Sequence, residues 1–183
     1  MQDRSHFPLP ERWFGASFAL LHPQLQALHR HGGRLHGPAQ LSFGTGLAGI
    51  VGKALARRLG IPPQAGQARL EVHIASDAAG LHWSRRFNDG ATFNSVFQAT
   101  GCYPDGHWTE RSGLIELRLQ VAVLDGGWHW RQERLRVAGV PLPGWLMPTT
   151  VASKNVIDGQ YVFSVEIRFP LLGSVLAYRG ELA

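Results

Sequence analysis

From Gln67 to the C-terminus the chain alternates apolar and polar residues with period two, and turn-forming residues break the pattern every ten residues or so. Leu70, Val72 and Ile74 alternate with Glu71 and His73; Ile115, Leu117, Leu119, Val121 and Val123 alternate with Glu116, Arg118 and Gln120. Successive strand side chains point to opposite faces, so this pattern suits half-buried strands and cannot form an amphipathic helix. The segments at Leu81–Phe87, Ala91–Ala99, Trp128–Val137, Thr149–Val156, Tyr161–Phe169 and Ser174–Leu182 continue it, separated by SDAAG, NDG, DGG and Asp158-Gly159. About eight strands joined by hairpin-length turns make an antiparallel meander. Native twist curls such a sheet into a barrel or half-barrel. In WHWRQERLRV, Trp128 and Trp130 share one phase while Leu135 and Val137 share the other, which predicts a β-bulge between them.

Helical spacing is confined to the first third of the chain. Pro23 suits a first helical turn, Leu21, Leu25 and Leu28 recur at helical intervals, and Gly32-Gly33 ends the segment. The stretch RLHGPAQLSF reads as a short extended segment. A second helix is expected from Leu47 to Leu59, burying a stripe of Leu47, Ile50, Val51, Ala54, Leu55 and Leu59 before Gly60 and Pro62-Pro63 stop it. The expected fold is therefore α+β and mainly β: a strongly curved antiparallel sheet with two to three N-terminal helices covering an open edge or face. Residues 1–183 form one domain on this reading, with 1–15 as an N-terminal tail or arm.

Composition narrows the classes of function. Apolar residues make up 44% of the chain and charged residues 17%, values of a globular protein and not a disordered one. LAGIVGKALA carries Lys53 and is far short of the ~20 residues of a membrane span, so no span is expected. The prolines of MQDRSHFPLPERWF stand where a signal peptide needs an apolar core, which argues for a cytoplasmic protein. Cys102 is the lone cysteine, which excludes an internal disulfide and a cysteine-built zinc site; in the turn-like GCYPDG it reads as incidental. The net charge of +5 raises nucleic-acid binding, but the lysines number only two, Lys53 and Lys154, and the arginines are scattered over alternating strands. No nucleic-acid partner is expected.

The sharpest motif is GTGLAG, Gly44 to Gly49, which matches a dinucleotide-binding fingerprint before a helix. That fingerprint works within parallel strands returned through helices, and no helical segment follows Gly60, so the glycines read as the start of a helix and no cofactor is expected. His22, His29, His31 and His36 cluster in sequence without metal-ligand geometry, and His29 and His31 read as a solvated helix terminus; no metal site is expected. There is no G-x-S-x-G nucleophile elbow. Glu116, Glu133 and Glu166 lie on the polar phase of their strands. The apolar loop VPLPGWLMP, Val140 to Pro148, reads as core, with exposure of Trp145 as a lid or docking point the alternative.

One residue breaks the pattern. In LHWSRRF, Leu81, Trp83, Arg85 and Phe87 share a face, which places a guanidinium in an apolar layer where an unpaired charge is costly. Either Arg85 is structural, bonded to a carboxylate such as Glu110 or to backbone carbonyls, or it faces a cavity and meets the anionic head of an apolar ligand. That cavity would be lined by Trp83, Phe93, Phe97, Trp130 and Phe163. Ser95, Glu110 and Tyr178 are the polar residues that could join Arg85 there.

WSRRF with the following FNS, ERSG at Glu110 to Gly113, GVPLPGWLMP, DGQYVFSVEIRFPLLG and the terminal YRGEL resemble, in order and spacing, the bacterial family named domain of unknown function 4166. The resemblance runs from about Leu21 to the end. It implies association with oxidoreductases, since members look like free-standing small proteins or C-terminal partners of saccharopine-dehydrogenase-like NAD-binding domains, and it implies no catalytic residue. The expected function is binding of a hydrophobic, anionic small molecule, or an accessory role beside an oxidoreductase partner. The alternatives are a cofactor-independent enzyme using Glu110 with Tyr178 or Ser95, and a purely structural interaction module.

Overall fold

The computed structural model describes residues 8–183 and contains eleven strands in one sheet, every neighbouring pair antiparallel. The strands are β1 (Gly33–Phe43), β2 (Gly66–Asp77), β3 (Gly80–Phe87), β4 (Phe93–Thr100), β5 (His107–Ser112), β6 (Ile115–Leu124), β7 (Gly127–Val137), β8 (Val140–Pro141), β9 (Thr149–Ile157), β10 (Gln160–Phe169) and β11 (Gly173–Leu182). Their order, β6-β5-β4-β3-β2-β1-β11-β10-β9-β7-β8, is closed by a further pairing of β6 with β7. All strands but β8 thus form a closed barrel, and β8 flanks β7 outside the ring.

The meander is longer than its alternation reveals. RLHGPAQLSF is no short extended piece but the full strand β1, joining β2 to β11. Gly37 and Pro38 hide its period; a Cβ at Gly37 would collide with the carbonyl oxygen of Glu181, so the strand needs a glycine there. β5 was hidden because, of HWTERS, Trp108 alone is apolar. The expected bulge in β7 is present: Arg118 pairs with Arg134 and Leu119 with Gln132, and Glu133 is the extra residue. It lets Trp128 and Leu135 both point inward, and both are buried.

Three α-helices and a 3-10 helix precede or interrupt the first strands: α1 (Leu9–Phe14), the 3-10 turn Gly15–Leu20, α2 (Pro23–His31) and α3 (Gly46–Arg58). Of the stretch read as a tail or arm, residues 1–7 lie outside the described residues, and from Leu9 the chain is α1, whose Trp13 and Phe14 are buried. With α2 these elements plug one end of the barrel. The backbone N–H of His22 donates to Gly126 at 2.8 Å, that of Tyr103 to Trp13 at 3.0 Å, and the Trp13 indole to Thr100 at 3.2 Å, so helix and strand turns are bonded together. His29 is not at a solvated terminus. It is 1% exposed, its ring 4.5 Å from Trp128 and stacked on Trp83, because the last turn of α2 is pushed into the barrel.

α3 packs outside the wall, against β11 and β1. The stripe expected to be buried is rotated: Leu47 and Ile50 are 70% and 66% exposed, while Ala48, Gly49, Gly52 and Ala56 face the sheet. A Cβ on Gly52 would collide with the Val175 carbonyl oxygen, so the helix lies directly on strand backbone and selects small residues over large ones. GTGLAG is explained by the same packing, since a Cβ on Gly44 would stand 2.5 Å from the Ser174 carbonyl oxygen, and one on Gly49 2.5 Å from that of Gly44.

Candidate functional site

The turns after β3, β5, β7 and β10 lie at the barrel end opposite α1 and α2. There the interior opens into a cavity of about 240 Å³, walled by residues that include Phe87, Phe93, Leu117, Leu119, Leu135 and Ile167, with Leu55, Leu59 and Ile61 brought in by α3 and the loop after it. The wall is overwhelmingly apolar. Its polar groups, Arg85, Glu110, Ser112, Gln132, Thr150 and Tyr178, are few, as in sites that hold an apolar ligand in a set orientation.

Arg85 answers both halves of the question its position raises. β3 aims it inward between Trp83 and Phe87, and its Nη2 donates to Glu110 Oε1 at 2.9 Å and to Ser95 Oγ at 2.6 Å. The two side chains are 13% and 12% exposed, so this ion pair is nearly dry. The guanidinium also lies 5.1 Å from the Phe93 ring centre. Burial opposes the Arg85 charge, but Glu110 and Tyr178 outweigh it and hold its pKa above the ordinary value. The Tyr178 hydroxyl is pushed up by burial, with Arg85 pulling the other way. Arg85 is thus structural and also borders the cavity: Nη2 is fully used by Glu110 and Ser95, the Tyr178 hydroxyl lies against the guanidinium, and Nε is buried without a partner.

Below this layer lies an inner cavity of about 30 Å³, bordered by Trp83, Arg85, Trp130, Lys154, Tyr161, Phe163 and Tyr178 among others. Of the residues proposed from sequence, Phe93, Glu110, Trp130, Arg85 and Tyr178 border the outer cavity, Trp83 and Phe163 only the inner one. Ser95 is buried behind Arg85, and Phe97 packs on Trp130 at 5.1 Å between ring centres, bordering neither.

Sequence reasoning missed Lys154. It is 3% exposed, its Nζ has no hydrogen-bond partner, and that nitrogen sits 3.7, 4.3 and 4.8 Å from the ring centres of Trp83, Trp128 and Trp130. Two effects compete there. Indole faces favour an ammonium by roughly 2 kcal/mol when water is excluded. A buried ammonium without a hydrogen-bond acceptor costs several kcal/mol, so burial wins. Burial, helped by the Arg85 charge, accordingly pushes the Lys154 pKa well below the lysine range. Burial first, and then its neighbour Lys154, lower His29. The available signal was phase: Lys154 shares the inward phase of Ala152 on β9.

The loop Val140–Pro148 is not core. Leu142 and Pro148 reach the cavity wall, but Trp145 is 73% exposed and Leu146 46%, on the rim of the opening. A separate hollow on the outer face, across β1 to β3, gathers Arg34, His36, Arg69, His73 and Arg86, and there Arg69 and Arg86 both bond to Glu71. No helix among the described residues is long and apolar enough to cross a membrane.

No curated protein and no solved structure matches this chain. A family model described as a domain of unknown function matches residues 21–182, from two residues before α2 to the last residue of β11. The barrel, its α2 plug and its buried Arg85 and Glu110 all fall within that match, and the chain belongs to the family domain of unknown function 4166.

Proposed function

We propose that the barrel binds an elongated apolar small molecule through its open end, with a polar or anionic head at the Arg85 layer. The observation that carries this reading is the apolar cavity of about 240 Å³ whose floor holds the Arg85 guanidinium, bonded through Nη2 to Glu110 and Ser95. A charge-assisted bond from that guanidinium to a carboxylate would add to the burial of the tail. The neighbouring Glu110 repels an anion, so the preference for an acid over an alcohol is a modest one. The oxidoreductase partnership implied by the family resemblance fits beside this reading, with the barrel holding an apolar substrate out of water. Catalysis by Glu110 with Tyr178 or Ser95 is the weaker reading, because Glu110 and Ser95 are both engaged by Arg85.

Displacement of anilinonaphthalene sulfonate tests it. Decanoic acid and decanol should both displace the dye, the acid at about tenfold lower concentration, equal to about 1.4 kcal/mol. Leu117→Trp, which fills the cavity, should abolish dye binding while circular dichroism stays unchanged. Dye binding by Leu117→Trp equal to that of the wild type, or failure of both ligands to displace, would refute the reading.

A further inference from the structure

We propose that Lys154 captures the carbonyl group of an apolar aldehyde or ketone as a Schiff base, so that the ligand class of the barrel includes apolar carbonyl compounds; this rests on the cavity reading above. Three observations converge. Lys154 Nζ borders the inner cavity and is unpartnered, so its lone pair is not committed to another group. The inner and outer cavities share Arg85, Trp130, Ala152, Val165 and Tyr178 as walls, so a ligand whose head passes that layer brings its carbonyl to the amine while its tail stays in the outer cavity. The indoles of Trp83, Trp128 and Trp130 surround the nitrogen and keep bulk water away from an imine once it has formed.

The chemistry balances with groups on the page. The Nζ lone pair adds to the carbonyl carbon, and a proton passes from nitrogen to oxygen to give a carbinolamine. The hydroxyl then leaves as water, and loss of the remaining N–H proton leaves a C=N bond. Tyr161 and Tyr178 border the same inner cavity with hydroxyls that burial keeps protonated, so either can relay the N–H proton to the departing hydroxyl, taking up one proton as it gives the other. An ordinary lysine is an ammonium at neutral pH and reacts slowly with carbonyls. The depressed pKa of Lys154 supplies the free amine that the addition needs.

The chain has two lysines, which makes the test direct: Lys53, exposed on α3, is an internal control. The full chain is incubated with decanal and sodium cyanoborohydride at neutral pH, digested and mapped by mass spectrometry. Decanal and decanol are assayed in parallel for displacement of anilinonaphthalene sulfonate. The expected result is reductive alkylation of Lys154 at least tenfold faster than of Lys53, retained in Lys53→Arg and lost in a folded Lys154→Met. Displacement by both compounds without modification of Lys154, or with modification no faster than at Lys53, would overturn the carbonyl assignment and leave the apolar site standing. Absence of both displacement and modification would overturn both.

Discussion

The two ends of the barrel are built from the same strands and the same alternation, yet one is solid and the other hollow. At the helical end, Trp13, Phe14, Trp108 and Trp128 meet edge to face with ring centres 4.9 to 5.6 Å apart, and His29 and Leu25 complete the plug. At the mouth the inward residues are mostly aliphatic, Leu117, Leu135, Val165 and Ile167, and they leave space between them. A barrel this wide is not filled by the side chains of its own strands; helices must enter it to do so. Here α1 and α2 do this at one end, while α3 lies outside the wall. Stability and ligand space are thereby assigned to different halves of one sheet.

The sharpest test of that division removes part of the plug. Trp13→Ala should lower stability by about 3–5 kcal/mol in denaturant unfolding, since it deletes a buried indole and its bond to Thr100. A loss below about 1 kcal/mol would mean that the plug is dispensable.

At the boundary between the halves, Arg85→Met should cost about 3 kcal/mol by stranding the Glu110 carboxylate, and adding Glu110→Gln should restore most of it. No recovery in the double variant would show that Arg85 works through packing alone.

Lys154→Met should act in the opposite direction. Because the folded-state amine titrates well below the unfolded one, the unfolded chain binds more protons between the two values, and stability rises with pH across that window. The variant should be more stable than the wild type at neutral pH by about 1.4 kcal/mol or more, the worth of one pKa unit. The gain should shrink as pH approaches the unfolded lysine value of about 10.4. Denaturant midpoints at neutral and at alkaline pH check this, and a gain independent of pH would sink it.

The smallest effect belongs to the rim. Trp145→Ser should change stability by less than about 0.5 kcal/mol, measured in the same way, because the indole is already in water.

Reading the chain residue by residue recovers the curved sheet, the β7 bulge, α2 and α3, because each has a local period or a local stop. It also names Glu110 among the partners open to Arg85, since a charge in an apolar phase demands one. Besides β5, three things were hidden for physical reasons. β1 lacks the alternation because Gly37, which the close Glu181 carbonyl requires, and Pro38 stand in place of apolar residues. The buried face of α3 is made of glycine and alanine, which hydrophobic periodicity ranks below leucine even where backbone contact excludes leucine. Lys154 looks like a surface residue by composition, and three tryptophans from two other strands decide its environment.

The pairing of β1 with β11 has a kinetic consequence. Ala39 meets Gly180 and Phe43 meets Leu176, so the seam that closes the ring joins segments far apart in the chain. Hairpins such as β6–β7 and β9–β10 can form early, since their ends are already near each other. The seam cannot form until β11 has emerged, and until then β1 and β10 each offer an unpaired edge. Closure is therefore a late step in folding, in the slow regime of chains dominated by non-local strand pairing. During that interval those two edges are where this chain is open to pairing with another copy of itself.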